Sequence, residues 1–425
     1  MSVIESAKNA YDASLVLSAL SGDEKNQVLL SIIDELSEHA QDIFTANEMD
    51  IDNAKRSDLT APLLKRLKFD ESKLRGVIEG LRSLIELPDP VGNIISKTEL
   101  AEGMIMHKVS CPIGVIGVIF ESRPDALVQI ASLCIKSGNA VILKGGSEAA
   151  FTNRVLTQVI LNAIRDRDLP DGCITLLETR ADVAEMLKCD EYIDLIIPRG
   201  SNSFVRYIME NSHIPVMGHA DGICHVYVDK DADIDMAVNI IVDSKTQYVA
   251  VCNAAETMLV HKDIANAFLP KSAQALKDKG VTLRGDEHTL DIIEAEPATE
   301  QDWGTEYLDY ILSIKIVENV DEAIKHINHY GSGHTDAIVT SNTETAEIFL
   351  NRVDSADVFL NCSTRFADGF RFGFGAEVGI STNKLHARGP VGLEGLTIYK
   401  YKVYGNGQIV SDFADGSKKF THKKI

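Results

Sequence analysis

The sequence lacks the features that mark nucleic-acid-binding or membrane-spanning proteins. Basic residues are few: 42 Lys and Arg against 63 Asp and Glu leave a formal net charge of −21. A surface this negative repels nucleic acid and anionic lipid, so neither is an expected partner. Apolar runs are short, and even CPIGVIGVIF at residues 111–120 is far below the length that crosses a bilayer. The amino terminus has no basic segment followed by an apolar one, which predicts no secretory signal.

Cysteine and histidine motifs for metal binding are also missing. Seven cysteines are spread along the chain without a CxxC pair, which excludes the common zinc and thioredoxin-like motifs. Their odd number and long spacings favour reduced thiols, as in a cytoplasmic protein. No HExxH occurs and the histidines are scattered, so the sequence predicts no metal site and no catalytic histidine. Among the histidines only His219, in the glycine-flanked loop PVMGHADG, is a candidate for a functional role. A loop histidine with a local hydrogen bond is its favoured interpretation.

What the chain does contain is an α/β pattern, over a length that suggests two or three domains. Residues 1–88 are predicted to be helical, and residues 21–24 match a capping box that begins a helix. Strands and helices then alternate over residues 114–205. This alternation predicts a doubly wound parallel sheet.

A second α/β unit follows at residues 223–380. Its predicted strands lie at 225–229, 256–261, 312–317, 337–340 and 358–361. Two further segments alternate polar and apolar residues, which is typical of half-exposed strands. They predict a hairpin that turns at Gly103 and a long strand near 393–406.

Polar and glycine-rich segments follow three strands of the first unit, at the carboxyl ends where parallel sheets bind ligands. The segments are FESRP, KGGSEA and PRGSNS. Glycines let the backbone approach a ligand, lysine supplies charge, and a helix amino end favours phosphate. The candidate residues are Ser122, Arg123, Lys144, Gly145, Gly146, Ser147, Gly200 and Ser201. Each segment alone also fits an ordinary turn, and the common GxGxxG fingerprint is absent.

Two further segments carry candidate chemistry. Cys252 lies in QYVAVCNAAETMLVH, and its apolar neighbours favour a small packing residue over a nucleophile. The segment at 361–382, NCSTRFADGFRFGFGAEVGIST, combines glycines, phenylalanines, Arg365 and Arg371. Such a composition fits either a tightly packed connector or a ligand-closing loop. Two arginines in an acidic protein favour anion recognition.

Together these motifs resemble the aldehyde dehydrogenase superfamily over nearly the whole chain, and within it the γ-glutamyl phosphate reductases. The stretches that carry the resemblance are VIFESRPDA, ILKGGSEA, PVMGHADGICHVYVD, QYVAVCNAAETMLVH and NCSTRFADGFRFGFGAEVGIST. The resemblance makes Cys252 the expected nucleophile. It implies an oxidoreductase of proline biosynthesis that uses NADPH to reduce L-glutamate 5-phosphate to L-glutamate 5-semialdehyde and phosphate, through a cysteine thioester.

The resemblance also implies roles for the other candidates. Ser122 falls where aldehyde dehydrogenases place an asparagine that binds the oxyanion. The residues expected at the cofactor are Lys144, Gly146, Ser147, Gly200, Ser201 and Glu306, the last at the nicotinamide ribose. The candidates for the substrate carboxylate or phosphate are Arg123, Arg365 and Arg371. Nearby positive charge is expected to lower the pKa of the Cys252 thiol, and the apolar sequence around it predicts a dry site.

Two departures from the family pattern are informative. Oxidising members carry a general-base Glu where this chain has Val216, and its loss fits a thioester that must be resolved by reduction and not by water. NAD-preferring members often carry a Glu where this chain has Ser147. A Glu would repel the 2′-phosphate of NADP(H), whereas Ser147 and Lys144 can receive it, so NADP(H) is expected.

The resemblance implies a fold of two doubly wound α/β domains with a small β flap. The expected cofactor domain is 1–100 with 116–222, the catalytic domain 223–385, and the oligomerisation flap 101–115 with 386–412. A homo-oligomer, dimer or tetramer, is expected, and glutamate 5-kinase is a candidate transient partner. Three alternatives stay open: an ordinary aldehyde-oxidising enzyme, a non-catalytic nucleotide-binding protein, and a reductase of another acyl phosphate.

Overall fold

The chain begins with helices, as the sequence predicts. The computed structural model describes residues 1–121 and 123–425, except for the side chains of residues 61 and 62. The first helices are α1 (Val3–Leu17), α2 (Gly22–Glu38), α3 (Ala40–Arg56), α4 (Ala61–Leu67) and α5 (Glu71–Glu86). The predicted capping box begins α2: the Ser21 hydroxyl accepts from the Glu24 amide, and the Glu24 carboxylate accepts from the Ser21 amide at 2.7 Å.

The remaining helices are interspersed with strands. They are α6 (Pro124–Lys136), α7 (Ala150–Arg165), α8 (Arg180–Met186), α9 (Asn202–Asn211), α10 (Ile234–Thr246), α11 (Lys262–Lys277), α12 (Glu287–Leu290), α13 (Val320–Tyr330), α14 (Thr343–Arg352) and α15 (Val410–Ala414). In the part of the chain that the structure describes, no helix combines the length and the apolar character needed to span a membrane.

The strands form two parallel sheets and two smaller antiparallel ones. They are β1 (Ile94–Ala101), β2 (Met104–Pro112), β3 (Val115–Ile119), β4 (Ala140–Lys144), β5 (Ile174–Leu177), β6 (Leu195–Pro198), β7 (Cys224–Val228), β8 (Ala255–His261), β9 (Thr282–Gly285), β10 (Glu296–Pro297), β11 (Ile311–Val317), β12 (Thr335–Val339), β13 (Asp357–Leu360), β14 (Gly379–Ser381), β15 (Gly389–Val391), β16 (Thr397–Tyr404) and β17 (Lys423–Lys424). A mixed α/β fold with parallel sheets is thereby confirmed.

The first parallel sheet has the strand order β5-β4-β3-β6. Its central strands β3 and β4 are buried at every position, because helices cover both faces of the sheet. The apolar faces of α1, α2, α6 and α7 contribute to this core.

The second parallel sheet has the order β10-β9-β11-β8-β7-β12-β13. Five of its strands follow the predicted pattern, whereas the short edge strand β10 and its neighbour β9 were not predicted. In this order β7 lies between β8 and β12. The amino ends of these three strands therefore lie side by side, and they face the segment that follows β6 of the first sheet.

A four-stranded antiparallel sheet, β16-β2-β1-β17, stands apart from the two cores. The predicted hairpin is present as β1 and β2, with Gly103 at φ 70° in the turn, where a residue without Cβ is favoured. The predicted long strand is present as β16, and it pairs with β2 from Thr397 to Tyr404. The domain boundaries drawn from the sequence stay predictions.

Candidate active site

Cys252 lies at the amino end of the second sheet, in the turn between α10 and β8. Its Sγ is 3.2 Å from Nε2 of His334, which immediately precedes β12. The thiol is half-buried, whereas His334 is fully buried. A thiol within hydrogen-bond reach of an imidazole is an arrangement that can activate a cysteine nucleophile. This contact favours catalysis over the packing role that the local sequence suggests.

Gly222 makes the contact possible. It lies just before β7, between the strands that follow Cys252 and His334. A Cβ at position 222 would lie 2.5 Å from Cβ of Cys252 and would also collide with the Cys252 backbone. Any side chain there would displace the thiol. The missing side chain therefore lets residues from two non-adjacent strands meet across β7.

The scattered histidines gave no pattern in sequence, but the structure brings His334 to the Cys252 thiol. His334 Nδ1 is 2.7 Å from the Thr335 hydroxyl, which donates to the Asp357 carboxylate at 3.4 Å. Burial lowers the pKa of His334 well below its ordinary value. With Nδ1 held by Thr335, the neutral ring presents the lone pair of Nε2 to the thiol. His334 is 82 residues from Cys252, so spacing gave no signal of this pair.

A ring nitrogen of His219 also lies within 4.8 Å of the Cys252 sulfur. Its ring lies edge-on to that of His334, with centroids 5.1 Å apart, and its Nδ1 is 3.1 Å from the Ile380 carbonyl oxygen. Burial lowers its pKa, although the hydrogen bond to Ile380 acts in the other direction. The local hydrogen bond expected for this residue is present, but the side chain belongs to the site as well.

The thiol pKa differs from the expectation. Burial, reinforced by the Glu306 and Glu377 carboxylates, raises the pKa of Cys252 to about 12, and Arg199 opposes the rise only in part. The expected lowering of this pKa is therefore wrong for the ligand-free site. Since the thiol is protonated at neutral pH, it needs a base at the moment of attack.

Charged side chains from distant segments surround the thiol, so the site is not the apolar one that the local sequence predicts. Arg199, which follows β6, and Arg365 both interact electrostatically with Cys252. Arg365 is buried, and its Nε donates to Gln247 at 3.0 Å. The Glu377 carboxylate accepts from the Gly369 amide at 2.9 Å. Sequence reasoning missed Arg199 and Glu377, although both belong to motifs that it had singled out.

The other predicted substrate residues are placed as follows. Arg123 precedes α6, is about half exposed, and its Nη2 lies 3.5 Å from the Asp125 carboxylate. Arg371 donates to the backbone carbonyl of Arg365 at 2.7 Å, so it supports the loop that holds Arg365. Ser122 lies outside the described residues, and its role at the oxyanion stays a prediction.

Glu306 links the two sheets. Its carboxylate accepts from the Asn202 side chain at 2.7 Å and from the Gly222 amide at 3.0 Å. Asn202 begins α9 after the first sheet, whereas Gly222 precedes the second sheet. This position beside Cys252 is compatible with the predicted contact to a nicotinamide ribose, which stays a prediction.

The predicted cofactor lysine and glycines form a crevice at the carboxyl end of β4. Lys144 is buried, burial lowers its pKa, and its Nζ donates to the Gly145 carbonyl at 2.8 Å. The crevice is lined by Gly145, Gly146, Ser147, Ala150, Asn153, Leu176, Leu177 and Glu178. A Cβ on Gly145 would strike the Asn153 side chain, whose buried Oδ1 has no hydrogen-bond partner. The glycine backbone leaves room for a ligand, and the Asn153 Oδ1 atom can accept a hydrogen bond from it. Both features fit a ligand with hydroxyl groups, such as a nucleotide.

Gly200 and Ser201 form the turn between β6 and α9. The Ser201 side chain caps none of the free backbone amides at the start of α9. A Cβ on Gly200 would lie 3.1 Å from the Phe204 ring and 3.2 Å from the Glu121 carboxyl carbon. The turn is therefore closely packed and leaves helix amides open, as anion binding requires.

The fold and the site agree with comparisons to known proteins. The model of the aldehyde dehydrogenase family matches residues 1–290. The curated gamma-glutamyl phosphate reductase of Acetivibrio thermocellus is 61% identical over 425 residues, covering 100% of this chain and 99% of that protein. The corresponding protein of Ruminiclostridium cellulolyticum is 60% identical, covering 100% and 98%.

A solved structure shows the same fold. The crystal structure of gamma-glutamyl phosphate reductase from Thermotoga maritima is 41% identical to this chain and superposes with a TM-score of 0.94. The match covers 96% of this chain and 100% of that one. The fold and the cysteine site thus define an enzyme of the aldehyde dehydrogenase family, which uses nicotinamide cofactors. Within it, the chain belongs to the gamma-glutamyl phosphate reductase family.

Proposed function

We propose that the protein reduces L-glutamate 5-phosphate with NADPH and a proton, yielding L-glutamate 5-semialdehyde, phosphate and NADP⁺. The reaction is the second step of proline biosynthesis from glutamate. The observation that carries the proposal is the setting of Cys252: its thiol contacts an imidazole and lies among arginines from separate segments. An acyl phosphate with an α-carboxylate needs both a nucleophile and such cations.

The first half-reaction forms a thioester. As Sγ of Cys252 attacks the acyl carbon, Nε2 of His334 accepts the thiol proton. The bond between the acyl carbon and the phosphate oxygen breaks, and the imidazolium returns the proton to the departing phosphate. Arg199 and Arg365 stabilise the negative charge of the substrate during this transfer.

The second half-reaction releases the aldehyde. The bound cofactor supplies a hydride to the thioester carbonyl. The resulting thiohemiacetal collapses by breaking its C–S bond, and the leaving sulfur recovers a proton through His334. Val216, at the position of the family's general base, cannot activate water. The carboxylates near the thiol, Glu306 and Glu377, each accept from a backbone amide, which supports a site that protects the thioester from hydrolysis.

NADP(H) is the proposed cofactor. Lys144, at the end of β4, interacts electrostatically with the Arg180 guanidinium and with the carboxylates of Glu148, Glu121 and Asp182. A 2′-phosphate would pair with the two cations, and Ser147 does not add the further carboxylate that NAD-preferring members carry at this position. Gly200 and Ser201 would hold the pyrophosphate, and Glu306 the nicotinamide ribose.

A homo-oligomer is proposed on the basis of the small antiparallel sheet. Its strand β16 exposes large apolar side chains on both faces: Ile398, Tyr399, Tyr401, Val403 and Tyr404. A surface of this kind favours burial against another copy of the chain. Light scattering is expected to give a dimer or tetramer, and a clean monomer at micromolar concentration would contradict the proposal. The cytoplasmic location and transient contact with glutamate 5-kinase stay predictions.

The reverse reaction tests the function. Glutamate 5-semialdehyde and NADP⁺ are incubated with and without phosphate, and NADPH is followed by its absorbance. Without phosphate we expect at most one NADPH per site, and with phosphate continuous NADPH formation, because phosphate must attack the thioester to free the cysteine. Cys252→Ser should abolish turnover and keep NADPH binding, whereas Cys362→Ser, at another half-buried thiol, should stay active. Continuous NADPH formation without phosphate would instead identify an aldehyde-oxidising enzyme.

A further inference from the structure

Three metal-binding side chains converge at the nucleophile. The Sγ of Cys252 and one ring nitrogen from each of His219 and His334 all lie within 4.8 Å of one another. The closest pair, Sγ and Nε2 of His334, is 3.2 Å apart. A tetrahedral zinc ion with Zn–S of about 2.3 Å and Zn–N of about 2.0 Å needs separations of roughly 3.5 Å between its ligand atoms. Small side-chain shifts, on the order of 1 Å, would complete that geometry.

Each of the two rings is held through its Nδ1 atom. His219 Nδ1 is held by the Ile380 carbonyl, and His334 Nδ1 by the Thr335 hydroxyl. Metal-binding histidines are typically fixed in this way, with one nitrogen bound to an oxygen of the protein and the other directed at the ion. In both rings the nitrogen left with a free lone pair is Nε2.

We propose that Cys252, His219 and His334 bind one zinc ion, and that the bound ion reversibly blocks the nucleophile. Binding releases the thiol proton and leaves the fourth coordination position to water. A thiolate that shares an electron pair with zinc carries less negative charge, and it is therefore a weaker nucleophile towards an acyl carbon than the free thiolate. The cysteine and histidines of the site are far apart in sequence, which is why motif spacing predicts no metal here.

Charges of both signs lie near the thiol. The carboxylates of Glu306 and Glu377 interact electrostatically with Cys252, and so do the guanidinium groups of Arg199 and Arg365, so that the two carboxylates offset the two cations for a bound metal ion. The crevice at the carboxyl end of β4 lies at a different strand end and shares none of the three ligands. Zinc is therefore expected to compete with the acyl substrate and to leave NADPH binding in place. This consequence for turnover rests on the proposed function, whereas metal binding itself does not.

Cobalt provides the test, because a Co²⁺–thiolate bond absorbs in the near ultraviolet and tetrahedral Co²⁺ absorbs strongly in the visible. The reduced full-length protein, without substrate or NADPH, is titrated with Co²⁺. We expect saturation at one equivalent, displacement of cobalt by Zn²⁺, and loss of the thiolate band in Cys252→Ser. His219→Gln should weaken Co²⁺ binding at least tenfold. Cys362→Ser and His213→Gln, at a half-buried thiol and an exposed imidazole, should bind like wild type.

Either of two results would overturn the proposal. One is the absence of a cobalt–thiolate band in wild-type protein whose Cys252 is shown to be reduced by thiol titration. The other is a band of equal strength in Cys252→Ser. Cobalt binding together with phosphate-independent NADPH formation would leave the metal site intact and refute only the proposed function.

Discussion

Replacement of His334 by glutamine tests whether this imidazole takes the thiol proton. With the thiol pKa raised to about 12, only about one site in 10⁵ holds a thiolate at pH 7. A positioned general base typically contributes a factor of about 10²–10⁴ to the rate. His334→Gln should therefore lower kcat by about 10²–10⁴, equivalent to about 3–5 kcal/mol of transition-state stabilisation.

The pH profile separates a proton-transfer role from a structural one. Without His334, turnover depends on the preformed thiolate, so the rate of the variant should rise about tenfold for each pH unit between 7 and 9. The wild-type rate should change much less over this range, because the pKa of His334 lies well below neutrality and the base is already available. The assay is the phosphate-dependent formation of NADPH, with protein folding checked by thermal unfolding.

A matched control uses a second buried histidine. The ring of His326 packs against Trp303, and burial lowers its pKa to about 2. Among the described residues its other ring neighbours are His225 and Tyr330, and not Cys252. His326→Gln should keep the wild-type pH profile even where stability falls. Turnover of His334→Gln within about threefold of wild type, or an unchanged pH profile, would refute the proton-transfer role.

Further substitutions probe other parts of the account. Gly222→Ala should lower turnover more than NADPH affinity, because its Cβ would collide with Cys252; equal kcat would contradict the close approach. Ser147→Glu should weaken NADPH binding at least tenfold, about 1.4 kcal/mol, and NADH binding much less. Asp302→Asn should lower stability more at pH 7 than near pH 2. Although burial acts to raise the pKa of Asp302, hydrogen bonds from Tyr307, Thr299 and Arg284 hold it well below 3.8. The stability that the Asp302 carboxylate contributes is thus fully present above pH 3.8. It is lost as pH falls towards the pKa that Asp302 has in the folded protein. Urea unfolding over pH 2–7 checks this, and a pH-independent difference would count against it.

Much of the fold follows from local patterns in the sequence. Fully apolar segments such as Val115–Ile119 predict buried parallel strands, and the capping box at residues 21–24 predicts the start of α2. The edge strand β10 has only two residues, both exposed, and therefore leaves no hydrophobic pattern. Local signals identify the long buried elements and miss the short exposed ones.

The contact between Cys252 and His334 shows why the candidate site was harder to predict. Cys252 and His334 precede β8 and β12, which do not follow one another in sequence and are separated by β7 in the sheet. Strand order depends on tertiary packing, and an apolar run of residues does not encode it. The same holds for Arg199 and Glu377, whose charges reach the thiol only because the two sheets face each other across it.

Intact-protein and peptide mass spectrometry of the acyl-enzyme tests the central claim most directly. The protein is incubated with glutamate 5-semialdehyde and NADP⁺ without phosphate, quenched in acid, and digested. We expect a glutamyl adduct on the peptide that contains Cys252, and its disappearance when phosphate is added before the quench. An adduct on another residue, or turnover with phosphate in Cys252→Ser, would contradict the thioester mechanism.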